Sequence, residues 1–159
     1  MSKYSFLHKA LPQVHFIQIS NLPIQINIDY LSGICKSLDV PFNVHTIEIP
    51  ENDDRGKNIC FLCSWHRRKS IFEIAKEHSC NKLSLGHNMD DAIETLLMNM
   101  AFQGAISSTP AKLAFFDGEI EVIRPLIRLT NKELADYAKL LEIPDEIKNC
   151  PHERESSRA

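Results

Sequence analysis

Lys82-Leu83-Ser84-Leu85-Gly86-His87-Asn88-Met89-Asp90-Asp91-Ala92-Ile93-Glu94-Thr95-Leu96-Leu97-Met98-Asn99 is the stretch whose reading decides the fold class. Lys82 to Leu85 predicts a brief strand that ends at Gly86-His87. From about Met89 to Phe102, Ala92, Ile93, Leu96, Leu97 and Met100 recur at helical spacing, so a helix follows the strand almost at once. A strand that runs directly into a polar helix start is the unit from which parallel sheets are built.

The same alternation continues in both directions. Upstream, Val14 to Ile19 is a β-branched run, and Asn27 is placed to cap a helix carrying Leu31, Ile34, Cys35 and Leu38. Phe42 to Ile49 predicts a second strand, and the polar segment Pro50 to Lys57 predicts a loop leading to Cys60. A helix from about Ser64 to His78 would bury Ile71, Ile74 and Ala75. Downstream, Gly104 to Gly118 reads as a loop with a turn at Asp117-Gly118, and Ile120 to Ile123 as a strand. Thr130-x-x-Glu133 is a capping box opening a helix through Leu134, Ala138 and Leu141 that Pro144 ends. Residues 152–159 form a polar tail. The order predicts an α/β fold, a parallel sheet with helices on both faces. In such sheets ligands bind at the carboxyl ends of the strands, so the loops after Ile49 and Leu85 are expected to meet on one rim.

A chain of 159 residues is the length of one domain. Hydrophobic residues at 43% and charged residues at 25% exclude disorder and collagen-like repeats. A net charge of −3 gives no global attraction to nucleic acid or to an acidic membrane, so any RNA contact must be local. There is no apolar run of the ~20 residues a membrane helix needs, and the opening residues lack a signal peptide's pattern. A cytoplasmic address is expected, and five cysteines, an odd number, suit a reduced compartment. Gly33, Gly56, Gly86, Gly104 and Gly118 each stand alone, and no glycine-rich phosphate loop is present.

Three groups of residues carry chemistry. Cys60-Phe61-Leu62-Cys63 brings two thiols within reach of one metal or cluster edge. Zinc, a thioredoxin-like redox pair, iron–sulfur ligation and a half-buried pair with no ligand are the competing readings. Cys150 is the further thiol for a second half-site, whereas Cys35 and Cys80 read as core residues. Asp90 and Asp91 at a helix start could hold a magnesium–phosphate group or orient a base; equally, Asn88 and Asp91 have the spacing of a helix cap. His66-Arg67-Arg68-Lys69 is a solvated helix face or, beside the thiols, an attractor of phosphate from ATP or RNA, which Arg124, Arg128, Lys132, Arg154 and Arg158 could extend. His15, His45 and His78 have no partner legible in the sequence.

Taken in order, Cys60-x-x-Cys63 with Arg67-Arg68, the segment GHNMDDAIETLLMN at 86–99, Pro110-x-Lys112-Leu113, Val122-Ile123-Arg124-Pro125-Leu126 and a late Cys150 resemble the tRNA 2-thiocytidine synthetase family of PP-loop ATP-pyrophosphatases. The likeness is close from Cys60 to Cys150 and extends upstream only as strand and helix order. It implies an adenine nucleotide alpha hydrolase-like, Rossmann-like fold, here one domain over residues 1–159 that is N-terminally incomplete, lacking the first strand and the Ser-Gly-Gly-x-Asp-Ser phosphate loop. Tyr4 to Leu11 would be a remnant of the first helix, and Val14 to Ile19 an uncovered strand edge inviting association, such as a homodimer.

The resemblance also implies chemistry: ATP-dependent adenylation of an anticodon-loop cytidine in tRNA, then sulfur transfer through a [4Fe-4S] cluster. Cys60, Cys63 and Cys150 match the cluster ligands. Asp91 and Arg67 match catalytic positions, and Gly86, His87 and Asp90 the site for ATP and magnesium. The family's second late cysteine is replaced at Glu153. The implied partners are tRNA and a cysteine desulfurase or other sulfur donor, with no membrane. Without the phosphate loop this chain is expected to be inactive alone, which leaves open whether it is itself an enzyme. The competing expectation is a non-enzymatic cluster- or zinc-binding module derived from the family that binds tRNA or a protein partner.

Overall fold

The computed structural model describes residues 12–22, 26–50 and 58–144. They fall into two compact units that divide after Arg68. The first holds β1 (Val14–Ile19), α1 (Ile28–Ser37), β2 (Phe42–Ile47) and the opening of α2 (Ile59–Glu77). β1 and β2 pair in parallel, from Val14 opposite Phe42 to Ile19 opposite Ile47, and α1 makes the crossover that parallel pairing requires. α1 starts where expected because the Asn27 side chain accepts the Tyr30 N–H at 3.0 Å. The second strand is two residues shorter than its apolar run. Beyond Ile47, the Asn21 amide replaces the ladder, donating to the Ile49 carbonyl at 2.7 Å and accepting the Ile49 N–H at 3.2 Å. Ile19, Ile49 and Leu62 form the core of this unit, with Leu22, Ile47, Ile59 and Cys63 packed on it.

The second unit holds the rest of α2, then β3 (Lys82–Ser84), α3 (Met89–Gln103), β4 (Lys112–Phe115), β5 (Ile120–Ile123) and α4 (Asn131–Leu140). Its sheet runs β3-β5-β4, with β3 parallel and β4 antiparallel to β5. The sheet is therefore mixed, and the expected loop from Gly104 to Gly118 contains a strand. β4 is four residues long with no alternating pattern of its own. It exists because a tight turn, Phe116–Gly118, folds it back on β5. That turn puts Phe116 and Asp117 at φ 54° and 53°, a conformation a bulky side chain disfavours. Packing holds it: the Phe116 ring lies 5.5 Å from that of Phe72, and the Lys76 ammonium sits 3.9 Å over its face. The central strand is the most enclosed, with Ile120 and Val122 only 2% and 1% exposed.

Ile74 and Ala75 of α2 are buried as expected. The apolar stripe of α3 is not: Ile93, Leu97 and Met100 are exposed, as are Leu140 at the end of α4 and Leu141 just after it. Cys35 is a core residue, but Cys80 is only half-buried, because it follows the end of α2 and its thiol reaches the His78 carbonyl.

Candidate active-site elements

α2 begins at Ile59, five residues earlier than its apolar pattern suggests, because the Asn58 side chain accepts the Phe61 N–H at 2.9 Å and caps the helix. Cys60 and Cys63 consequently lie within the first five residues of the helix and not before it. At a separation of three residues they share one face, at the end of the helix whose dipole favours anionic ligands. Both are half-buried, and Cys63 rests against the Ile19, Ile49 and Leu62 cluster, which shields one side from water. Two thiolates so placed fit one edge of an iron–sulfur cluster or half of a zinc site. Cys150 lies outside the described residues, as do Arg154, Arg158, residues 4–11 expected as a helix remnant and residues 152–159 expected as a tail. Among the described residues no three Cys, His, Asp or Glu side chains form a metal-binding group.

One turn farther along α2, Arg67 lines a cleft with Ile17, Ile19, Ile26 and Ile28. Its Nε–H is buried with no hydrogen-bond partner among the described residues. A buried donor left unmade is costly, so this group is suited to an anionic ligand. In the rest of the basic run, His66 is half-buried with its ring 4.9 Å from that of Trp65, Arg68 is exposed, and Lys69 pairs with Glu73 at 3.7 Å.

The acidic start of α3 is built with several hydrogen bonds. The Asn88 side chain accepts the Asp91 N–H at 3.1 Å, and the Asp91 carboxylate accepts the Asn88 N–H at 2.9 Å, which completes a capping box. Asn88 is 6% exposed, and its amide donates to the Asn131 side-chain oxygen. Asp90 accepts the Asn131 N–H at 2.7 Å, and the Met89 N–H reaches the Leu129 carbonyl at 2.9 Å. The first turn of α3 is thereby tied to the first turn of α4. α4 has its own box, in which Glu133 accepts from both the N–H and the hydroxyl of Thr130 at 2.8 Å. Those bonds hold the Glu133 carboxyl below its ordinary value. Each of the two aspartates thus has one oxygen committed to a helix start.

His87 is joined to Arg124. The guanidinium Nε–H donates to His87 Nδ1 at 3.3 Å, and Nη1 donates to the Pro110 carbonyl at 2.7 Å. Arg124 is half-buried, with Nε and Nη1 both engaged. Asn131 and the partnership of Arg124 with His87 were not legible in the sequence, since each contact spans more than 35 residues. His15 and His45 also prove to be partners, their ring nitrogens 2.9 Å apart.

Residues 18–146 match a family model described as a PP-loop domain. The chain belongs to the PP-loop family. This PP-loop domain is 39% identical over 120 residues to the tRNA-cytidine(32) 2-sulfurtransferase of Ralstonia nicotianae, a match covering 73% of this chain and 38% of the relative. It is 44% identical over 119 residues to tRNA-cytidine(32) 2-sulfurtransferase 1 of Francisella philomiragia, covering 72% of this chain and 45% of the relative. The chain thus spans less than half the length of the curated relatives it matches. Among solved structures it resembles the U34-tRNA thiolase NcsA from Methanococcus maripaludis with its [4Fe-4S] cluster. The TM-score is 0.60 at 21% identity, over 88% of this chain and 50% of that one. The PP-loop domain therefore has the expected α/β, Rossmann-like fold. Among its described residues no helix is long and apolar enough to cross a membrane.

Proposed function

We propose that the protein serves ATP-dependent 2-thiolation of tRNA, replacing the 2-oxygen of an anticodon-loop cytidine with sulfur through an adenylated intermediate. The observation that carries this reading is the thiol pair one helical turn apart at the start of α2, in a chain 39–44% identical to two tRNA-cytidine(32) 2-sulfurtransferases. Cys60, Cys63 and Cys150 would hold a [4Fe-4S] cluster, which when bound supplies an open iron for the sulfur to be transferred. The other roles fall to the chain's own groups. Gly86, His87 and Asp90 bind ATP with magnesium, Asp90 through the oxygen not given to Asn131. Asp91 carries the charge needed to hold the metal ion or a proton, and Arg67 offers its buried Nε–H to a phosphate. The working partners are tRNA and a sulfur donor such as a cysteine desulfurase, in the cytoplasm.

The 159-residue sequence holds no glycine-rich phosphate loop, and Asp90 and Asp91 repel an unshielded pyrophosphate. The chain by itself is therefore inactive in thiolation until a phosphate-binding loop is supplied. The same observation favours a second reading, a cluster- or zinc-binding module that binds tRNA or a protein partner without catalysis. Anaerobic reconstitution with iron and sulfide tests the ligand set: one cluster per chain is expected, with loss in Cys60→Ala, Cys63→Ala and Cys150→Ala. Stoichiometric zinc in place of iron, or an unchanged cluster in Cys150→Ala, refutes it. A thiolation assay with tRNA, sulfide, ATP and magnesium separates the two functions. Activity after fusion to a Ser-Gly-Gly loop segment supports the enzyme, and inactivity of a loop-bearing, cluster-loaded protein supports the module.

A further inference from the structure

We infer that Arg124 is a positioning residue that sets the tautomer of His87, so that His87 works as a hydrogen-bond donor through Nε2 and not as a proton acceptor. A guanidinium is protonated at every pH a folded protein meets, so its Nε–H can only donate. Directed at His87 Nδ1 over 3.3 Å, it requires a lone pair there. The neutral imidazole then carries its single proton on Nε2, because the two ring nitrogens divide the donor and acceptor roles between them.

Arg124 is itself held in place. It leaves the end of β5, its backbone N–H donates to the Ala111 carbonyl at 2.9 Å, and Nη1 donates to the Pro110 carbonyl at 2.7 Å. The guanidinium plane is thus oriented by the segment before β4 while Nε meets the ring. His87 stands two residues after Leu85, whose N–H is bonded to the Ile123 carbonyl, so ring and guanidinium come from adjacent strands of one sheet. The Nε2–H so fixed matches an anionic oxygen of the substrate and cannot abstract a proton from it. What the donor meets rests on the thiolation reading; the tautomer does not.

The test uses the 159-residue chain labelled with 15N, at about pH 8, where an ordinary imidazole is neutral. Long-range proton–nitrogen correlations report the tautomer of each ring, and the spectrum of His87→Gln identifies the His87 signals. A single Nε2–H tautomer is expected in the wild type, drifting to the mixture of free imidazole in Arg124→Leu. The Arg124 Nε–H should exchange slowly with solvent and, in His87→Ala, speed up to the rate of the exposed Arg68. An Nδ1–H tautomer in the wild type overturns the inference, as does Arg124 exchange that His87→Ala leaves unchanged. In a loop-bearing, active enzyme, Arg124→Leu should lower kcat. If the spectra behave as expected and no thiolation occurs, the reaction assignment fails and the tautomer stands.

Discussion

Replacing Asn88 with alanine should destabilise the start of α3 by about 2 kcal/mol. The side chain accepts the Asp91 N–H as N-cap, and losing such a cap costs about 1 kcal/mol. It also donates to the Asn131 side chain, a net contribution of about 1 kcal/mol, and being 6% exposed it has little water to turn to. Two bonds survive the substitution, the Asn88 N–H to the Asp91 carboxylate and the Met89 N–H to the Leu129 carbonyl, so the helix should fray at its first turn and not unfold. Asn131→Ala removes the shared bond alone and should cost about 1 kcal/mol. The double mutant should then be less destabilised than the sum of the singles by about 1 kcal/mol, since the same bond is lost in each. Hydrogen exchange at the Asp91 and Ala92 amides reads this locally, and urea unfolding reads it globally. A loss in Asn88→Ala below about 0.5 kcal/mol, or additivity of the two substitutions within about 0.3 kcal/mol, would refute the idea that Asn88 ties α3 to α4.

Asp91→Asn keeps an amide oxygen that can accept the Asn88 N–H and should cost less than about 1 kcal/mol, yet abolish thiolation in a loop-bearing enzyme; normal thiolation would leave Asp91 a cap and no more. Val122→Ala, at the 1% exposed centre of β5, removes two methylene equivalents worth about 0.8 kcal/mol each and opens a cavity, so urea unfolding should register a loss of about 2–3 kcal/mol. The carboxyl of Glu133 lies below its usual value of 4.5, so the α4 cap is fully present above that pH and is lost as pH falls through the lowered value. Hydrogen exchange at the Thr130 amide, which donates to the carboxylate, should show this acid fraying, and Glu133→Gln should remove its pH dependence.

Several features were legible in the chain because they are local. The β-branched run of β1, the Asn27 cap, the Asn88 and Asp91 spacing and the Thr130-x-x-Glu133 box each lie within one turn of backbone, and each is found where its residues stand. The Asn58 cap belongs to the same class, though its residue follows a charged stretch of sequence that reads as the end of a loop. This cap starts α2 five residues before its apolar pattern and brings the two thiols onto the helix. Helix ends were legible too: α2, α3 and α4 end within a residue of the expected His78, Phe102 and Leu141. α1, α2 and α4 are followed by Asp39, Ser79 and Glu142 in the left-handed conformation, where glycine is the usual marker.

The order of strands and helices, apart from β4, and the two capping boxes followed from the amino-acid sequence alone, because propensity, periodicity and capping act between near neighbours; the family followed from the resemblance of its spaced motifs. Tertiary structure alone decided that Lys112–Phe115 would be a strand, that Arg124 would turn inward to His87, and that Asn88 and Asp90 would hold Asn131. Each of these depends on a partner set by chain folding. β4 has no pattern until β5 offers its edge, and a guanidinium is solvated until an imidazole lone pair 37 residues away in the chain is brought within hydrogen-bonding distance.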